Sequence, residues 1–308
     1  IHVHRQHLPL ARAGRHCARL SCLGGHCADA LYRAEQAEQR GDVVRPHIVQ
    51  RACARLIEER GGRMMELVAV TDEPRAAARD PAEPAAVDQL TDILQAAAEE
   101  GIRGNYGANI GSVLLDMEGD NLRVKAKAMA AAGSDARMNG CEQPVVINSG
   151  SGNQGITSSV PVIVYARAME VGEEKMLRAL TLSNLTTIHE KTPIGRLSAY
   201  CGAVSAGAGA GAGIAYLCGG DYDVIAHTVV NALAIVSGIV CDGAKASCAA
   251  KIATAVEAGI FGYNMYIRGQ EFYGGDGIVA KGIETSLKNV GRLGKEGMKE
   301  TNEEIIKI

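Results

Sequence analysis

The sequence predicts a mainly α protein whose core is built from buried Gly- and Ala-rich helices, preceded by an irregular, poorly folded N-terminal segment. Three observations carry this expectation. Apolar residues make up 47 % of the chain, yet there is no Trp and only two Phe. Ala, Val, Ile, Leu and Met must therefore fill the core, with Gly letting backbones approach closely. From residue 85 onward, apolar residues recur at helical spacing in one segment after another, and no run of alternating strands follows residue 100. Two 18-residue stretches, Cys201–Cys218 and Val224–Cys241, run without Asp, Glu, Lys or Arg, and only the second holds a His, His227. They lack aromatic belts and basic flanks, and the first is mostly Gly and Ala. They read as buried helices of a soluble core, with no membrane partner.

The elements follow from this spacing. Ala85–Glu100 places Val87, Leu90, Ile93, Leu94 and Ala97 on one face and stops at Gly101 and Gly104. Asn109–Leu115 and Leu122–Ala132 are read as helices, the second ended by Gly133. Val145–Asn148 is the one short β-like stretch. Gln154–Met169 and Glu173–Ile188 meet at Gly172. Leu197–Leu217, Val224–Ile239, Ser247–Tyr266, Ile278–Asn289 and Met298–Ile308 complete the helical series.

Composition divides the chain in two. All fifteen basic residues before Lys125 are Arg, and six of the eight His lie at or before His47. Residues 1–63 carry eleven Arg against six acids, a balance of +5, whereas the remainder balances at −8. Residues 1–85 are read as an atypical Arg- and His-rich segment ending in a Pro-rich linker. An interaction arm, or a truncated, fused or mis-framed start, would each produce it. Asp29, Glu35, Glu38 and Asp42 argue against a transit segment. Residues 86–308 are read as the helical domain. The net charge of −3 offers no nucleic-acid surface. Nine unevenly spaced Cys, in a chain too long to need staples, point to a reducing, cytoplasmic compartment with thiols kept as ligands or core residues.

Three motifs carry chemistry. Asn148-Ser-Gly-Ser-Gly-Asn-Gln-Gly155 is neither a Walker loop nor a dinucleotide fingerprint. It sets Ser149, Gly150, Ser151, Asn153 and Gln154 at a helix start, where backbone N–H groups and the helix dipole suit a carboxylate or phosphate. An ordinary polar loop with an N-cap uses the same residues. Just upstream, Asp135 and Arg137 could position a zwitterion or form a surface turn. Cys201, Cys241 and Cys248 each sit beside Gly or a small residue, which leaves room for a bulky group held by soft thiolates. The alternative is that each is a small core hydrophobe. His189, Lys191 and Arg196 either face an anionic substrate or complement a helix C-terminus.

Together Gly104-Asn-Tyr-Gly-Ala-Asn-Ile-Gly111, Ala131-Ala-Gly-Ser-Asp-Ala-Arg137, the Asn148–Gly155 loop, Ile194-Gly-Arg-Leu-Ser-Ala-Tyr-Cys-Gly-Ala203 and Gly238-Ile-Val-Cys-Asp-Gly-Ala-Lys245 resemble L-cysteine desulfidases of the serine dehydratase alpha-chain, iron–sulfur type. The resemblance spans roughly residues 86–308. It implies a helical dehydratase-type fold and a [4Fe–4S] cluster held by Cys201, Cys241 and Cys248, with no pyridoxal phosphate. It also implies β-elimination from a small amino acid to pyruvate, ammonia and sulfide. Three thiolates instead of the usual four leave one iron open to substrate. L-serine dehydration is the neighbouring activity, and a non-catalytic cluster- or amino-acid-binding protein is the reading from another class. A homo-oligomer is compatible with all three. The family's Cys-Thr-Glu-Pro motif, whose Cys sits at the active site, does not occur in this sequence, so the catalytic residue is unassigned. Cys218 matches no family ligand and is expected to pack in the core.

Overall fold

The computed structural model describes Met64–Met65, residues 83–195 and residues 198–308, with side chains at Met64–Met65 and from Thr91 on. The expectations for residues 1–63 and 66–82, and for Arg196 and Leu197, lie outside the described residues. The helices are α1 (Glu83–Arg103), α2 (Ile110–Glu118), α3 (Leu122–Met138), α4 (Gly152–Ala168), α5 (Glu173–Ile194), α6 (Gly202–Leu217), α7 (Tyr222–Val236), α8 (Cys248–Tyr266), α9 (Ile283–Arg292) and α10 (Lys299–Lys307), with a π-turn at Leu293–Gly297 before the last. Among the described residues there is no strand. Two isolated bridges, Asn148 with Ser151 and Tyr200 with Val240, are the β pairings. The mainly α fold expected from the sequence is the fold observed.

Helix α6 is the hub. It packs against α5, α8, α7 and α4, and every residue from Ala203 to Leu217 except Tyr216 is buried. Its interior glycines Gly207, Gly209, Gly211 and Gly213 are poor helix formers, each costing about 1 kcal/mol relative to Ala. Packing explains their use. Gly207 and Gly211, one turn apart, face α8. A Cβ on Gly207 would collide with the Ala255 backbone, and one on Gly211 would lie 2.9 Å from Gly259 Cα. On the face toward α5, a Cβ on Gly209 would strike Thr187 and Ser183. The apolar side chains of α4, α5, α7, α8 and α9 then close a single main core around α6.

Several boundaries differ from the sequence reading, each for a physical reason. Gly133 does not end α3. It admits α4, since a Cβ there would lie 3.2 Å from Ile156 Cγ2, and Ser134–Arg137 form the last turns of α3, not a surface turn. Helix α6 begins at Gly202 because Ser198–Cys201 is drawn into the bridge region, where Cys201 N–H donates to Ile239 O at 3.2 Å. Helix α9 starts at Ile283, after a loop with positive φ at Gly275, Gly277 and Gly282. Val145–Val146 make no sheet pairing among the described residues. Cys218, expected in the core, is exposed at the end of α6. Met64 is fully buried, and its N–H donates to Glu284 Oε1 at 2.6 Å. No helix among the described residues is long and apolar enough to cross a membrane.

The α6–α8 contact gives a direct test. A Cβ on Gly259 would collide with the Gly207 carbonyl, which is backbone and cannot swing aside. Gly259→Ala should destabilise the protein by about 1–3 kcal/mol, the usual cost of overpacking, and lower Tm by several degrees. Gly238→Ala, whose Cβ meets nothing within 4 Å, should leave Tm within about a degree in the same calorimetric scan.

Candidate functional site

The Asn148–Gly155 motif folds as a tight turn running into α4. Ser149 and Gly150 have φ of 48° and 88°, the pair of positive values of a type I′ turn. Asn148 and Ser151 exchange backbone hydrogen bonds across it at 3.2 and 3.0 Å. Asn184 of α5 anchors the turn from below, its Oδ1 accepting Asn148 Nδ2 at 2.8 Å and Ser158 Oγ at 3.1 Å. Ser151 is the N-cap of α4 but makes no side-chain capping bond, so the first N–H groups of α4 are not satisfied by their own cap.

Arg137, in the last turn of α3, lies over this helix start. Its Nη1 donates to Asn153 Oδ1 at 3.1 Å, and its guanidinium packs against Gly152, where a Cβ would displace it. Burial pulls its pKa down, and the Cys248 thiol pulls it up. No carboxylate among the described residues pairs with it. A guanidinium beside a helix N-terminus places positive charge on positive charge unless an anion lies between them. Asp135 does not join this group. It is fully buried, its Oδ2 accepts the Ile110 N–H at 2.7 Å, and its carboxylate faces the N–H groups of Ala108 and Gly111. It caps the start of α2.

Gln154 links the turn to the cysteines. Its carboxamide packs on Gly202, where a Cβ would lie 2.6 Å from Gln154 Cδ, so α4 and α6 start side by side. Cys201 is the N-cap of α6, and Cys241 lies across the Tyr200–Val240 bridge, its N–H donating to Ala199 O at 2.6 Å. A hydrogen bond shared with Cys241, reinforced by burial, pushes the Cys201 thiol far up. The same bond brings Cys241 down to about 6 against its own burial, helped by the Gly243 N–H and by the ammonium groups of Lys251 and Lys191. Cys248 opens α8, and its S–H donates to Gly243 O at 3.5 Å. Lys251 bonds Val240 O at 3.0 Å and pairs with Asp242. Lys191 of α5 is 6 % exposed; burial pulls its ammonium down in pKa, and the charges of Cys241 and Cys201 pull it up.

The remaining basic residues of the motif separate. His189 turns away to Glu284, 3.0 Å distant. Glu190 is 1 % exposed, both its oxygens lack a hydrogen-bond partner, and burial pushes its carboxyl well above the usual range. Lys191 belongs to the basic cluster that the sequence marks, whereas Glu190 carries no pattern that marks it in the sequence. A basic–acidic neighbour pair at a helix end is ordinary, and only the packing reveals that both are buried.

The donor set accords with the cluster implied by the resemblance. Three thiols come from three chain positions, with small neighbours and cations around them. Among the described residues no three His, Cys, Asp or Glu side chains converge closely enough for one metal ion.

A family profile described as serine dehydratase alpha chain matches residues 47–307, beginning well before the compositional boundary near residue 86. A UPF0597 protein of Desulfitobacterium hafniense is 66 % identical over 222 residues, covering 72 % of this chain and 52 % of that protein. A UPF0597 protein of Lachnoclostridium phytofermentans is 61 % identical over 211 residues, covering 68 % and 51 %. One from Finegoldia magna is 52 % identical over 215 residues, covering 70 % and 51 %. The chain thus spans about half the length of the curated relatives it matches. No solved structure matches it significantly. With 261 of its residues under the one profile (47 to 307 inclusive), the chain belongs to the serine dehydratase alpha chain family.

Proposed function

We propose that this chain carries the cluster- and substrate-binding half of an iron–sulfur lyase, which eliminates the β-substituent of L-cysteine to give pyruvate, ammonia and sulfide. The observation that carries this reading is the contact of Gln154 with Gly202, which sets an anion-receptive helix start beside three free thiols. Cys201, Cys241 and Cys248 would hold a [4Fe–4S] cluster, which supplies an iron with an open position that acts as a Lewis acid. Arg137 and the N–H groups at the start of α4 hold the substrate carboxylate. Ser149, Ser151, Asn153 and Gln154 surround it with amide and hydroxyl groups and fix its orientation. Asn184 keeps the turn in place. The thiol-rich site suits a reducing, cytoplasmic setting.

A second reading, L-serine dehydration with water leaving, is favoured by the description of the matched family. Adding cysteine or serine to the reconstituted protein separates the two: sulfide release marks the first, pyruvate from serine alone the second. With no Cys-Thr-Glu-Pro in the sequence, the Cα base is missing from the assigned residues. General-base catalysis contributes about 10²–10⁴-fold, so turnover by this chain alone should be weak beside its ligand binding.

Anaerobically purified protein should be brown and carry about four irons per chain, as one cubane requires. Cys201→Ala, Cys241→Ala and Cys248→Ala should each lose the cluster, while Cys218→Ala keeps it. Full iron content in the three ligand variants would rule the assignment out.

Asn153→Ala and Arg137→Met should each leave the cluster spectrum intact and weaken amino-acid binding by about one to two orders of magnitude, the value of one hydrogen bond to a charged group. Unchanged affinity by calorimetric titration in both variants would place the carboxylate elsewhere.

A further inference from the structure

Ser151, Gly152, Asn153 and Gln154 spell a capping box, in which a Ser at the N-cap and a Gln three residues on satisfy each other's backbone N–H groups. The pattern is in register with the helix, since Ser151 is the N-cap of α4 and Gln154 its third residue. Yet neither half of the box is made. The Ser151 side chain makes no capping bond. The Ser151 N–H, which Gln154 would accept, donates instead to Asn148 O across the turn at 3.0 Å. Gln154 is 7 % exposed, and its Oε1 is buried with no hydrogen-bond partner. Its carboxamide rests broadside on Gly202, where a Cβ would lie 2.6 to 2.9 Å from Cδ, Nε2 and Oε1.

A buried amide oxygen without a donor is unfavourable, and a helix start without its cap leaves backbone N–H groups unpaired. The two deficits are of opposite kind and lie within one turn of α4. The N–H groups need an acceptor, and Gln154 Oε1 needs a donor. The neighbouring amide oxygens are already taken: Asn153 Oδ1 accepts Arg137 Nη1 at 3.1 Å, and Asn148 Oδ1 accepts Ser149 Oγ at 2.8 Å. An α-amino acid carries both missing groups, a carboxylate and an ammonium on one carbon. Its carboxylate replaces the Ser151 hydroxyl as acceptor, and its ammonium replaces the Ser151 N–H as donor. A carboxylic acid without the amino group meets only the first need. Because Oε1 has no partner, turning the carboxamide toward the turn breaks no hydrogen bond of that oxygen.

We infer that this open capping box reads the α-ammonium of the ligand, with Gln154 Oε1 as its acceptor, and so restricts the site to α-amino acids. The inference rests on the carboxylate position proposed above, at Arg137 and the start of α4. It adds the residue that tells an amino acid from the same acid without its nitrogen.

The test compares L-cysteine with 3-mercaptopropanoate, which differ only in the α-amino group, by calorimetric titration of the full chain after anaerobic reconstitution. The parent should bind L-cysteine at least about tenfold more tightly, the value of one hydrogen bond to a charged group. Gln154→Met, of similar volume, should lose most of that preference by weakening L-cysteine while leaving 3-mercaptopropanoate unchanged. Gln154→Glu, which retains an acceptor, should keep the preference. Equal affinity of the parent for the two ligands would overturn the inference without any variant. So would a folded Gln154→Met protein that keeps the parent's preference or weakens both ligands alike, or a Gln154→Glu protein that binds both equally. Arg137→Met should weaken both ligands. Unchanged affinity for both in that variant would overturn the carboxylate position first and the inference with it.

Discussion

The structure depends on the close approach of α6 to the helices around it. Where α6 meets α8, Gly211 and Gly259 face each other, and a Cβ on Gly211 would lie 2.9 Å from Gly259 Cα. Glycine there sacrifices intrinsic helix stability, and packing with interior-like density must offset the loss. Alternating Gly and Ala lets α6 present bare backbone to α8 on one side and to α5 on another. No larger side chain fits either contact, so the helices are held at one separation and in one register.

That register places the chemistry. Cys201 and Cys248 begin the two helices that touch through Gly207, Gly211 and Gly259, so their thiols are set by the same contact. Cys241 is brought to them by the short Tyr200–Val240 bridge. Helix α4 joins them because Gly202 leaves room for Gln154. Cys201, Cys248 and the Ser151–Gln154 segment therefore sit at helix starts, where unsatisfied N–H groups and the helix dipole favour negative charge. The site is electropositive by construction, with Arg137, Lys191 and Lys251 adding to the helix ends. Its two anionic guests, in the proposed function, are the thiolate cluster and the substrate carboxylate.

Much of the fold was legible in the sequence because the helical period is strong wherever a helix has one buried face. It was least legible where all faces are buried. Gly133 reads as a helix stop, yet it is a contact between α3 and α4. Ser198–Cys201 read as part of α6, yet the helix starts at Gly202. For the site, the turn at Asn148–Gly155 and the three cysteines could be marked by composition and by family motifs. Their mutual proximity could not, because it depends on the long-range contact of Gln154 with Gly202. Asp135 was indistinguishable from Arg137 as a ligand-binding residue, although two positions along one helix point to different neighbours. Lys191 and His189 were marked alike as basic residues near a helix end, and only the packing separates the buried lysine from the histidine paired with Glu284. Cys218 lies in an apolar run and still ends up exposed, because it falls on the last turn of α6.

The central claim is that the three thiols hold a cluster with one iron open to the molecule bound at the α4 start. Mössbauer spectra of iron-57-reconstituted protein, recorded with and without L-cysteine or L-serine, test it most directly. The account predicts that one iron site of the cluster changes its isomer shift and quadrupole splitting on addition of the amino acid while the others stay unchanged. A spectrum insensitive to both amino acids at saturating concentration, or one in which all irons are equivalent throughout, would contradict it.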